Sequence, residues 1–96
     1  MIDFHADWCG WCKRLDKDTY VDPGVLSKAS NFIGLKIDTD VEGAIASRFR
    51  IRGLPTILFI DHEGEEIHRV VGYRAPQQFM DEMDTALRAF ESRHGG

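Results

Sequence analysis

The stretch that decides the reading runs from Asp3 to Leu15, DFHADWCGWCKRL. Cys9 and Cys12 stand three positions apart with Gly10 and Trp11 between them, and they are the only cysteines in the chain. The mostly apolar segment before them, MIDFHA, reads as a strand. From Cys9 to about Lys17 the pattern turns helical. The cysteine pair therefore falls where a strand passes into a helix. Two cysteines so placed serve as a structural staple, as part of a metal site, or as a redox couple.

A staple is the weakest of the three. A disulfide closing so short a loop removes little entropy from the unfolded chain, about 2 kcal/mol even if the loop formula is stretched to this length. Zinc needs more ligands than two cysteines supply. They would have to come from His5, His62, His68 or His94, none of which is paired at ligand spacing. Lys13 follows Cys12 where covalent haem attachment would need a histidine. No metal ligand is assigned, and no cofactor is expected beyond the cysteine pair itself.

Redox exchange uses the position. At a helix N-terminus, free N–H groups and the positive end of the helix dipole stabilise a Cys9 thiolate. Cys12 lies one turn later on the same face, close enough to close a disulfide. A fall in thiol pKa from about 8.5 to about 7 raises the thiolate fraction at neutral pH from a few per cent to about half. Exchange needs that thiolate as the attacker.

Working outward, DPGVLSKAS carries a helix start, with Asp22 as cap and Pro23 at the first helical position. NFIGLKID reads as a strand, and DVEGAIASRF as a short helix capped by Asp40. PTILFID is nearly all apolar, as expected of a strand covered on both faces. HEG is a turn, after which EEIHRVVG returns antiparallel. In PQQFMDEMDTALRAF, the residues Phe79, Met83, Leu87 and Phe90 recur at helical spacing. Residues 92–96 read as a frayed tail. The order predicts an α/β fold: a mixed four-stranded sheet with helices on both faces, in one domain spanning 1–96.

Ninety-six residues allow one core and not two. A hydrophobic content of 43% with 29% charged residues excludes a disordered chain. The net charge of −4, with no Lys/Arg cluster longer than a pair, argues against a nucleic-acid or anionic-membrane partner. No apolar run approaches a membrane span, and no signal-peptide pattern opens the chain. Because Met1 leads almost directly into a strand, the chain also reads as a piece trimmed from a longer protein.

DFHADWCGWCK and IRGLPTILFID together resemble the thioredoxin family. The flanking YVDPGVLSK and LPTILFIDHEGEE are most similar to the thioredoxin-like branch that includes the C-terminal periplasmic domain of the transmembrane electron conductor DsbD. Relative to ordinary thioredoxin, the chain lacks the leading strand and helix.

The resemblance implies a thioredoxin fold and a thiol–disulfide oxidoreductase, most simply a reductase of protein disulfides. Alternatives are an isomerase or oxidase, or a non-enzymatic binding module of the same fold. It implies an exposed nucleophile at Cys9, a resolving thiol at Cys12, and a buried acid at Asp3 that relays the Cys12 proton. It further implies a cis-proline at Pro55, with Leu54 offering main-chain hydrogen bonds to an extended substrate, and a groove glycine at Gly72. Trp8 would flank the disulfide. Trp11 is either a substrate contact or a covered surface ring. Gly34 stands where the family's lysine partner of the acid is expected, which leaves Asp3 without a cation. His5, on the same strand face as Asp3, either tunes the site or simply packs. The implied partners are disulfide-containing proteins and an upstream electron donor, with the chain acting as a monomer. The compartment is extracytoplasmic if the chain is part of a longer protein, and otherwise cytoplasmic.

Overall fold

The computed structural model describes residues 1–95. Strand β1 (Ile2–His5) leads through a turn to helix α1 (Gly10–Arg14), which continues without a break into a π-helical turn, Leu15–Thr19. Helix α2 (Pro23–Ala29), strand β2 (Leu35–Asp38), helix α3 (Gly43–Arg48), strands β3 (Thr56–Ile60) and β4 (Glu66–Val71), and helix α4 (Pro76–His94) follow. The sheet order is β2-β1-β3-β4. β1 and β2 are parallel, and the other two pairs are antiparallel. Parallel neighbours need a crossover, which α1 and α2 supply; a tight turn suffices between β3 and β4.

Side chains alternate along β1, and that alternation sorts the molecule into two cores. Ile2 and Phe4 pack with Ile37, Ala46 and Leu58 under α3. Asp3 points to the other face, alongside its strand partner Ile57. There Leu15, Val25, Phe79, Met83 and Ala86 close over Ile57, Phe59 and Val70. β3 serves both cores, and its first four residues are buried. Side chains as completely buried as Phe4, Phe59 and Phe79 each contribute about 1.5–3 kcal/mol by leaving water. The mixed sheet with helices on both faces matches the fold expected from the sequence.

Local signals held at α2. The Asp22 carboxylate accepts from the N–H groups of Gly24 and Val25, and Pro23 starts the helix. Gly24 lets α4 come close: a Cβ there would stand 2.7 Å from the Met80 sulfur, whose flexible side chain would have to shift.

Two expectations are corrected. Asp40 does not cap α3; the N-cap is Glu42, with no side-chain bond, and the Asp40 carboxylate is taken by the Trp8 indole. Residues 92–94 of the expected tail are helical, because His94 Nε2 donates to Asp61 Oδ2 at 2.9 Å and anchors the last turn of α4. Gly96 lies outside the described residues.

Candidate active site

β1 ends at His5, and the chain then folds back so that the Cys9 N–H donates to Ala6 O at 3.1 Å. This reversal makes Cys9 the N-cap of α1, in extended conformation, with its Sγ accepting the Cys12 N–H at 3.1 Å. Sulfur thus fills the place that a hydroxyl or carboxylate usually takes at a helix start. The two cysteines form a disulfide, with their Cα atoms 5.3 Å apart. When the bond opens, a thiolate on Cys9 keeps the same N–H donor and gains from its own charge and from the helix dipole. Exposure does not separate the two sulfurs. Cys9 and Cys12 are each 5% exposed, so the expectation of an exposed Cys9 is corrected for the oxidised state. The reversal at Ala6 tucks the residue in, and what distinguishes it is its place at the cap.

Asp3 lies on the face of β1 that α1 and its π-turn cover. It is 5% exposed, and its Oδ1 has no hydrogen-bond partner among the described residues. Gly34 is not the position opposite it. In the parallel register Asp3 pairs with Lys36, and the Lys36 Nζ lies 3.6 Å from Asp3 Oδ2. The acid therefore has a cation, and the expectation of a missing one is corrected: Lys36 supplies it, two positions beyond Gly34. Lys36 is shared, since it also reaches Asp16 at 2.6 Å and the face of Tyr20.

Desolvation pushes the Asp3 carboxyl above its ordinary range. The Lys36 charge and, less strongly, that of His5 pull it back, and Asp16 adds to the rise. Tyr20 is half-buried, and its hydroxyl is the other buried side-chain polar atom without a partner among the described residues. Burial and the negative charge of Asp3 keep that phenol protonated well beyond its usual range. A cavity of about 230 Å³ opens beside this group, bounded by Asp3, Tyr20, Lys36 and Gly34 with an apolar wall that includes Val25 and Leu26. Its polar end is where Asp3, Tyr20 and Lys36 meet.

The sheet brings the remaining predicted residues to the same end. Phe4, near the end of β1, pairs with Thr56 at the start of β3, so Leu54 and Pro55 lie beside the turn that carries Cys9. The Leu54–Pro55 peptide is cis. Leu54 precedes the first residue of the ladder, so the sheet does not use its main chain. Gly72 donates its N–H to Pro55 O at 2.8 Å and has φ +95°, which a residue with a Cβ rarely adopts. Tyr73 follows it and stacks on Trp11, ring centroids 5.4 Å apart; its hydroxyl donates to Asp18. On the other flank, Trp8 Nε1 donates to Asp40 at 2.9 Å. Both indoles remain largely exposed while pinned in place. Lys36, Tyr20 and Tyr73 were not singled out from the sequence, and Asp40 was read only as a helix cap. Strand register was the available signal for Lys36, and adjacency to Gly72 for Tyr73.

A family model for a thioredoxin-like domain matches residues 1–87. The chain belongs to the thioredoxin-like family. Its cysteine pair stands at the first turn of the first helix. Among curated relatives, it is 37% identical over 87 residues to the thiol:disulfide interchange protein DsbD of Actinobacillus pleuropneumoniae serotype 5b, covering 84% of this chain and 15% of that protein. It is 41% identical over 85 residues to DsbD of Pseudoalteromonas atlantica, covering 82% and 14%. The chain thus spans about 15% of the length of the curated relatives it matches. In structure it is similar to a thioredoxin from Thermus thermophilus, with a TM-score of 0.81 and 25% identity over 98% of this chain and 78% of that one. The fold is also that of the reduced DsbD C-terminal domain of Neisseria meningitidis, with a TM-score of 0.78 and 21% identity over 88% and 77%.

Proposed function

We propose that this thioredoxin-like domain reduces disulfides of other proteins through Cys9 and Cys12. The observation that carries the reading is the capping geometry: Cys9 Sγ already accepts the Cys12 N–H and needs only to become a thiolate to be better held. In the reduced state the Cys9 thiolate attacks one sulfur of a substrate disulfide. A mixed disulfide forms, and the other substrate sulfur leaves as a thiolate that takes a proton. Cys12 then loses its proton and attacks Cys9 Sγ. The second substrate sulfur leaves, and the Cys9–Cys12 disulfide remains, with two electrons passed to the substrate.

Asp3 is the base for the Cys12 proton, held in balance by Lys36, and the cavity beside Tyr20 gives that proton a way to solvent. Trp8, Trp11, Leu54 and Gly72 form the substrate-facing rim, with Leu54 offering main-chain bonds to an extended segment. Pro55 closes the groove floor. No cofactor beyond the cysteine pair takes part; a dithiol donor recharges it. The relatives' name, thiol:disulfide interchange protein, and the resemblance to a periplasmic domain support an extracytoplasmic setting. No helix among the described residues is long and apolar enough to cross a membrane.

The test is insulin reduction by dithiothreitol. The protein should accelerate precipitation of the insulin B chain, and Cys9→Ser should abolish the effect. Cys12→Ser should accumulate a mixed disulfide at Cys9, visible by mass spectrometry. Full activity in Cys9→Ser would overturn the assignment.

A further inference from the structure

At the end of β3 remote from the cysteines, the turn carries Asp61, His62 and Glu63, and the last turn of α4 brings His94 beside them. One ligand atom each from His62, Glu63 and His94 lies within 4.8 Å of the other two. The imidazoles are 4.6 Å apart between centroids, and Phe90 packs against both rings. Asp61 organises the group from below. Its side chain is fully buried and accepts from the N–H groups of Glu63 and Glu65 as well as from His94 Nε2. An ionised carboxylate only accepts, so Nε2 carries the proton and a neutral His94 keeps its lone pair on Nδ1. A carboxylate behind a histidine, fixing its tautomer and orientation, is the support that metal-bound histidines usually have.

We propose that His62, Glu63 and His94 form a binding site for a divalent transition-metal cation, with zinc the best match. Two imidazoles and one carboxylate suit zinc and its neighbours better than magnesium or calcium, which favour all-oxygen sites. Bonds of about 2.0–2.1 Å place tetrahedral donors about 3.4 Å apart. The closure needed from 4.8 Å falls to His62 and Glu63, whose side chains are each 63% exposed and free to change rotamer. Three protein donors leave a fourth position for water. The cation would tie the β3–β4 turn to the end of α4, away from the redox pair.

The experiment is calorimetric titration of the oxidised protein with zinc chloride. The closed disulfide keeps thiolates from competing for the metal. One ion should bind per chain and raise the thermal midpoint. His62→Ala and His94→Ala should each weaken binding tenfold or more, while His68→Gln leaves it unchanged. His62 is exposed, so its replacement leaves the fold intact, which circular dichroism checks. Absence of binding up to millimolar zinc, affinity in His62→Ala within twofold of the parent, or magnesium binding as tightly as zinc would each overturn the proposal.

Discussion

Asp3 carries the most chemistry per atom. Its folded pKa is raised, chiefly by desolvation, so the native state holds the proton more tightly than the unfolded chain does. Stability from this group is therefore present at low pH and is lost as pH climbs from the ordinary carboxyl value of 3.8 through the higher folded value. Asp3→Asn should remove that decline and raise the urea midpoint at pH 7 relative to wild type, with little difference at pH 3. It should also slow release of the mixed disulfide by roughly a hundredfold or more, the scale of a lost general base. Equal resolution rates for wild type and variant across pH 6–9 would exclude Asp3 as the base. The acid was legible because its strand neighbours are apolar. Its cation was not: the length of the crossover between β1 and β2 sets the parallel register, and only that register brings Lys36, rather than position 34, opposite Asp3.

Among the elements, α3 ends in an unusual way. The Ile51 N–H reaches back to Ala46 O and the Arg50 N–H to Ser47 O, the double bond of a Schellman close. The residue in the left-handed position is Arg50, with φ +56°, where glycine is the usual occupant. Arg50→Gly should stabilise the protein by about 1 kcal/mol, the left-handed penalty of a Cβ less glycine's entropy in the unfolded chain. Chemical denaturation checks this, and a lower midpoint would refute it. The elements themselves were readable from periodicity, as with Phe79, Met83 and Phe90 of α4. Where they stop was less readable. The last turn of α4 depends on Asp61, a residue 33 positions away that no local pattern connects to His94.

For the molecule as a whole, the fold gathers the reactive groups at one end of the sheet and gives the thiolate few stabilisers. Among the described residues a helix start and one N–H support Cys9, and an ionised Asp3, if it serves Cys12 as proposed, works against the thiolate. The reduction potential should therefore lie nearer thioredoxin's (about −270 mV) than DsbA's (about −120 mV). Equilibration with glutathione buffers, followed by thiol alkylation, gives the value; a midpoint more positive than about −170 mV would favour an oxidase or isomerase over the reductase.

Lys36 stands on β2, which has a single neighbour, β1, among the described residues. One row of its peptide groups is open, and Leu35 beside it is 55% exposed. A charge leaning inward from such a strand discourages another chain from adding to it. Lys36→Met should thus do two things at once: raise the Asp3 pKa further, and make the protein self-associate as its concentration rises, as light scattering would register. Colloidal solubility and proton transfer are thereby tied to one ammonium group.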